Sequence, residues 1–455
     1  MLVRIDMKGS SSPSRLNQGA APGEWRLGPL PPGISVLAIA GGIGLLTGTA
    51  AWLLKTMIKY MSLVLIDRFH INEVNYGLLV IPLVGIVLAI AFQKWVARRR
   101  LDHGVDRVEK MVKEGKVDIP AVFGWGPLIA STFTLGFGGS AGAEGPIATS
   151  GAAIGSYAGR RLGLSPRLMA VMIACGAGAG IAGIFKAPVG GMLFTLEVLK
   201  MELGVVPVLA LVFACLISGM TSYGLTGFTL DVPLTQVQHF HPELAGWVIL
   251  TGVACGVYSL YYRYVCARVR ALFSRIGRPW LTGVVSGAIL SVLVFLFPAL
   301  YGEGYDTMAK VIDGNLGALT AYSLFEGHGL SLGFTTLLCA GIALAKPAAC
   351  TASNSGGGVA GDFAPTLFAG TMAGMCFAGV MTLLGVDGIY APNLALSAMA
   401  AVMAGVIKAP LMAIFIVVEM TGYFGMMFPV MLAAAFSYVT VLTGEYLIGK
   451  LRRQG

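Results

Sequence analysis

Residues Gly138–Gly151 read GGSAGAEGPIATSG, and Glu144 is the only charged residue between Asp118 and Arg160. A lone carboxylate among small and apolar residues has few chemical uses. The local sequence, Gly142-Ala-Glu-Gly-Pro146, suits a helix break better than a continuous helix. Proline fits the first turn of a helix, where its missing N–H costs nothing, and glycine lets the backbone take unusual angles. Such a break aims free N–H groups and the positive end of the helix dipole at one point. That makes an anion site without a full cationic charge. Deprotonated, Glu144 is itself an anion and can fill the site; protonated, it leaves the site open. Burial raises a carboxyl pKa above its reference of about 4.3, which brings such a switch toward neutral pH. The plainer role is a carboxylate buried in a salt bridge or capping a helix.

A second element has the same form. Gly142–Pro146 is echoed by Gly361-Asp-Phe-Ala-Pro365 at an offset of 219 residues. Downstream, Phe185-Lys-Ala-Pro188 through Glu197 is echoed by Ile407-Lys-Ala-Pro410 through Glu419 at an offset of 222 residues. Two related halves, each with a Gly/Pro-interrupted segment in the corresponding place, are the mark of inverted-repeat transporters, whose ligand site lies where the broken helices meet. The expected ligand is a small anion held weakly enough to leave.

The elements that must position these residues are membrane helices. Of the 455 residues, 56% are hydrophobic and 12% charged, with a mean hydropathy of +0.79. A water-exposed domain carries roughly 25% charged residues. Apolar runs recur along the chain, among them Gly33–Leu54, Tyr76–Val96, Leu203–Leu225, Ala245–Tyr262, Leu281–Leu300 and Phe428–Ile448. About 20 apolar residues cross a bilayer as a helix, and these runs lack the alternation of barrel strands. The expected fold class is an all-α polytopic membrane protein. Its organisation is a polar cytoplasmic segment over 1–32, a first membrane repeat over 33–230 and a second over 231–455, related by inverted topology. The 63 glycines suit close helix approach in lipid.

The net charge of +9 is concentrated in Arg98–Arg100, Arg160-Arg161 and the Lys450–Arg453 tail. Basic residues flanking membrane segments mark the cytoplasmic side, which places both termini there. No cleaved signal is expected, because the first apolar run is too long for one, and no C-terminal soluble domain is expected after the last run. Nothing suggests nucleic-acid binding. The seven cysteines have neither zinc-site nor disulfide-framework spacing, so no metal or cofactor is expected. No HExxH, Ser-His-Asp elbow or phosphate loop is present, and Gly356–Gly358 lacks the Lys-Ser/Thr such a loop needs. An enzyme is therefore not expected.

The four elements, in this order, resemble the CLC family of chloride channels and chloride/proton exchangers over roughly residues 33–448. Gly142–Pro146 resembles the family's GREGP element, whose glutamate is the external gate. Gly361–Pro365 resembles its GxFxP element, whose amides bind the central anion. The resemblance implies a homodimer with one anion pathway per subunit, and assigns Glu144 as gate and proton carrier. It places Gly142, Gly145, Asp362, Phe363 and Ala364 around the anion. Several positions depart from the family pattern. The first anion element, GSGIP, corresponds to Asp102–Asp106 here and puts His103 at the serine position, where it is either an anion ligand or a loop residue. Ala143 replaces the basic residue beside the gate. Asp362, the only charge between Lys346 and Asp387, would repel an anion unless protonated, paired or turned away. Tyr446, ahead of Tyr438, corresponds to the family's central tyrosine; its plainer role is an interfacial anchor. Val198 stands where exchangers often carry an inner glutamate, with Glu197 as the structural member of that pair. Glu202, one turn on, His103 or a water chain could substitute.

The function expected from this reading is exchange of a small anion, chloride first, for protons. A passive or uncoupled channel is the alternative that Val198 motivates. Another anion, such as fluoride or nitrate, is the alternative that His103 motivates.

Overall fold

The computed structural model describes residues 32–66, 70–71, 74–101, 108–109, 118–201, 204–327 and 329–454. Among these residues the chain is helical apart from one small hairpin, His70–Ile71 against Val74–Asn75. The first half supplies α1 (Pro32–Ile66), α2 (Ile81–Ala91), α3 (Val122–Gly136), α4 (Glu144–Arg161), α5 (Pro166–Phe185), α6 (Pro188–Glu197) and α7 (Val205–Leu225). The second supplies α8 (Ala245–Ser274), α9 (Pro279–Leu296), α10 (Tyr305–Ile312), α11 (Leu332–Ser355), α12 (Phe363–Leu383), α13 (Ala391–Ile407), α14 (Pro410–Thr421) and α15 (Met427–Gln454). Eight of them, α1, α5, α7, α8, α9, α11, α12 and α15, are long and apolar enough to cross a membrane. The protein is an integral, multi-pass, all-α membrane protein.

Proline sets many of the helix starts. It occupies the first turn of α5, α6, α9, α13 and α14, where it leaves no donor unsatisfied. The Tyr76–Val96 run is the expectation that the fold corrects. It is not one membrane-long helix but a 3-10 turn over Tyr76–Leu79, the short α2, and a π turn over Phe92–Ala97. Asn75 caps the 3-10 turn by accepting from Gly77 N at 3.0 Å. Pro82 then fits only a fresh helix start.

The two halves meet in reciprocal pairs. α6 and α14 pack together, and each is capped by the carboxylate of the other. Glu197, at the end of α6, accepts from Leu411 N at 3.2 Å and Met412 N at 2.7 Å in the first turn of α14. Glu419 accepts from Val189 N at 3.1 Å and Gly190 N at 2.9 Å in the first turn of α6. Each carboxylate satisfies two otherwise free donors and faces the positive end of a helix dipole. Glu197 is thus occupied as a cap. The repeat-related Lys186 and Lys408 end α5 and α13 at φ 54° and 65°, a left-handed conformation usual for glycine there. Their side chains are held by different carboxylates, Lys186 by Asp231 at 2.9 Å and Lys408 by Glu445 at 2.7 Å.

α4 is kept in place by close packing on α5. A Cβ on Gly151 would lie 2.0 Å from Gly176 O, and one on Gly176 would lie 2.0 Å from Gly151 O. Only glycine at both positions lets the two backbones touch.

Candidate functional site

The two broken elements lie side by side. Gly142 and Gly361 form an antiparallel bridge, with Gly142 N donating to Gly361 O at 3.0 Å and Gly361 N to Gly142 O at 2.6 Å. Two residues beyond each glycine a helix begins, α4 at Glu144 and α12 at Phe363. The 219-residue offset therefore relates the two helix starts as well as the two glycines. Neither helix has a side-chain cap on its own first turn, so the amides at the start of α12 need an acceptor from elsewhere.

Glu144 supplies it. Its Oε1 accepts from Phe363 N, and from Ala364 N at 3.1 Å. The residue is only 1% exposed. Its other oxygen, Oε2, is buried with no hydrogen-bond partner among the described residues. The carboxylate sits on two amides at a dipole's positive end, so any small anion with access could use the same donors once Glu144 withdrew. Phe194 of α6 packs edge-on against Phe363 at 5.8 Å between ring centroids, which fixes the rim of the seat from the first repeat. A Cβ on Gly361 would fall 2.7 Å from the Glu144 carboxyl carbon and from Oε1. A side chain there and a seated Glu144 exclude each other.

Two charged residues that the sequence reading did not single out stand beside this seat. Glu303, in the loop between α9 and α10, accepts from Ala143 N at 3.1 Å. Lys346 of α11 is fully buried, donates to Ser140 Oγ at 2.9 Å and lies 4.6 Å from the Phe368 ring centroid. Both act electrostatically on Glu144. A lone charge inside an apolar segment is the signal that would have found Lys346. For Glu303 it is the Gly-Glu-Gly run of Gly302–Gly304.

The other sequence candidates are placed as follows. Asp362 is half-buried and turned to α11, accepting from Asn354 Nδ2 at 2.6 Å and Cys350 Sγ at 3.2 Å. It also lines a cavity of about 970 Å³ whose wall carries Lys94, Arg98, Arg99, Arg100 and Arg270. A basic cavity ending beside α12 suits the approach of an anion. Gly145 is buried, and a Cβ there would stand 3.3 Å from Ala360 O. The amide of Gly142 is spent on the bridge. Tyr446 is 70% exposed on α15, with no hydrogen bond or ring contact to the Glu144 seat among the described residues. Tyr438 is on the same helix. Val198 caps the end of α6 and packs against the apolar core. His103 and Glu202 lie outside the described residues.

On the side of the seat reached by Glu303, two lysines converge on one aspartate. Lys55 Nζ lies 2.6 Å from Asp231 Oδ2 and Lys186 Nζ 2.9 Å from Oδ1. Lys186 also donates to Thr229 O at 2.7 Å. Asp231 lies in the connection between α7 and α8. Burial alone pushes its carboxyl up, but Lys55 and Lys186 outweigh burial and hold it below the ordinary carboxylate range.

The family model described as voltage gated chloride channel matches residues 83–442. The H(+)/Cl(-) exchange transporter ClcA of Vibrio cholerae is 27% identical over 330 residues, which are 70% of this chain and 66% of that protein. The voltage-gated ClC-type chloride channel ClcB of Escherichia coli is 28% identical over 362 residues, 78% of this chain and 80% of that one. The crystal structure of a slow cyanobacterial Cl-/H+ antiporter superposes with a TM-score of 0.75 at 22% identity, covering 89% of this chain and 94% of the other.

Proposed function

Because the chain belongs to the voltage-gated chloride channel, or CLC, family, we propose that it exchanges a small anion, chloride first, for protons, with Glu144 as both gate and proton carrier. The observation that carries the reading is the Glu144 carboxylate seated on the Phe363 and Ala364 amides. A carboxylate there imitates the anion it would compete with. Protonation removes its charge and with it the stronger, charge-assisted half of each bond. The neutral side chain can then leave, and an anion takes the two amides. Return of the deprotonated carboxylate expels the anion, so one seat couples the two movements. The first halves of α4 and α12 form the site, with Gly145 giving room and Asp362 turned away toward Asn354.

In this reading the basic cavity bounded by Arg98–Arg100 and Arg270 opens to the cytoplasm, and both termini lie on that side of a bacterial inner membrane. The halves 33–230 and 231–455 are the inverted repeats, and the working unit is a homodimer with one pathway per subunit. Val198 leaves the inner proton handoff to another group, for which Glu202 and His103 are the candidates. Val198 also favours a second reading, a passive anion channel, in which Glu144 gates without carrying net proton flux. Glu144→Gln separates the two. Under exchange, reconstituted Glu144→Gln passes anions without pH dependence and without proton movement, whereas the wild type moves both. Proton movement in neither protein is the channel outcome, and proton movement in Glu144→Gln undiminished from that of a proton-moving wild type removes Glu144 from the mechanism.

A further inference from the structure

We propose that Glu303 is the group that hands protons to and from Glu144 at the face opposite the arginine-rich one. The proposal rests on the exchange reading and adds a residue to it. The face follows from the chain path. α9 starts beside the basic cavity, which Pro279 and Trp280 line. It ends at Leu296, and the chain turns through Pro298–Leu300 before reaching Glu303. Glu303 is therefore at the other end of α9 from Arg98–Arg100.

The backbone aims Glu303 at the gate. Gly302 and Gly304 flank it at φ 66° and 85°, angles that side-chain-bearing residues rarely adopt. A Cβ on Gly304 would lie 2.5 Å from the Phe368 ring. The loop thus lies directly on α12, and its one carboxylate reaches the amide of Ala143, the residue before Glu144. A charged residue held inward by two left-handed glycines is costly, and capping one amide does not need a titratable group.

Its accessibility and charge environment fit transfer. Glu144 is 1% exposed, while Glu303 is half-buried, so Glu303 keeps exposed surface where Glu144 has almost none. The charged and titratable groups around it are Lys55 of α1, Glu144 of α4, Asp231 after α7, Tyr305 of α10 and Lys346 of α11. Lys55, with Lys186 of α5, is committed to Asp231, and Lys346 donates to Ser140. Among the described residues none of them forms an ion pair with Glu303, so no partner locks it as a permanent carboxylate. On the gate side Glu144 Oε2 is buried and unpartnered.

The step balances as a simple proton transfer. A carboxylate oxygen of Glu303 takes a proton from hydronium at the mouth and leaves water. The Glu303 O–H bond then breaks as an O–H bond forms on Glu144 Oε2, directly or through one water. Glu303 returns to carboxylate, and neutral Glu144 leaves the Phe363 and Ala364 amides. Unloading runs in reverse.

The test is the proton-to-anion flux ratio of Glu303→Gln in proteoliposomes. Gln keeps the size and the acceptor for Ala143 N but carries no exchangeable carboxyl proton. The ratio is expected to fall at least about tenfold, in line with loss of a positioned acid–base group, and Glu303→Asp is expected to recover part of it. A ratio equal to wild type overturns the proposal. So does a parallel fall of both fluxes at constant ratio, the result of a purely structural acceptor. If Glu303→Gln does not fold, Glu303→Asp carries the test: a lowered ratio supports the transfer role and an unchanged one overturns it. Proton movement absent from the wild type itself would instead sink the exchange reading together with this one.

Discussion

Replacing Gly361 with alanine would put a methyl group into the seat of the Glu144 carboxylate. The added Cβ would stand 2.7 Å from the carboxyl carbon and Oε1 and 2.8 Å from Cγ. To regain ordinary contact at 3.4 Å, the carboxylate must withdraw by about 0.7 Å, the difference between those two distances. The bond from Ala364 N, now 3.1 Å, then passes beyond hydrogen-bonding range. Each hydrogen bond to a charged group is worth about 1.5–3 kcal/mol. Losing one lowers occupancy of the seat by deprotonated Glu144 roughly 10- to 150-fold, at 1.4 kcal/mol per decade. The assay is anion efflux from proteoliposomes at about pH 9.5 and about pH 4.5, on either side of the several-unit range into which burial raises a carboxyl. In the wild type, efflux should rise as pH falls, because protonation empties the seat. In Gly361→Ala the efflux at the higher pH should approach that at the lower. The ratio of the two rates is the readout, since the methyl group also narrows the anion's own place and lowers both. A folded Gly361→Ala protein with the wild-type ratio would refute the view that Glu144 gates from this seat.

Glu197→Gln should keep its proton-to-anion flux ratio, because Glu197 is used in capping Leu411 and Met412; the expected cost is stability, about 1–2 kcal/mol for a weakened cap, read as a lower midpoint of thermal unfolding in detergent. Asp231→Asn should cost about 3 kcal/mol, since it leaves Lys55 and Lys186 without their shared partner. The Asp231 carboxyl is held below its unfolded value, so its contribution is fully present above about pH 4 and is lost as pH falls through the folded value. Wild type and Asp231→Asn should therefore differ in thermal midpoint throughout the neutral range and converge only in strong acid. A constant difference down to strong acid would contradict the assigned clamp.

The sequence made the symmetric part of this architecture legible. The Gly-x-x-x-Pro elements, the Lys-Ala-Pro repeats and the paired Glu197 and Glu419 all announce themselves by spacing, because inverted repeats place equivalent residues at equivalent local geometry. What the sequence could not show is asymmetric and tertiary. Glu303 and Lys346 reach Glu144 from α9–α10 and α11, and neither has a repeat partner to betray it. Glu303 lies in a loop whose direction depends on Gly302 and Gly304 both turning left-handed, and backbone angles are not written in hydropathy. The Asp231 clamp joins α1, α5 and the α7–α8 connection across 176 and 45 residues of chain, beyond any local pattern. Tyr76–Val96 misled for the opposite reason. Its hydropathy is continuous, but Asn75 and Pro82 impose starts that split it.

The central claim is that one seat, contested by Glu144 and an anion, couples anion movement to proton movement. Its most direct measurement uses the reconstituted wild-type protein with an outward chloride gradient and no proton gradient, following external pH. The account predicts proton uptake into the vesicles against the gradient that uptake itself creates, while chloride leaves. Chloride efflux with no such proton movement would contradict it and leave a passive anion pathway.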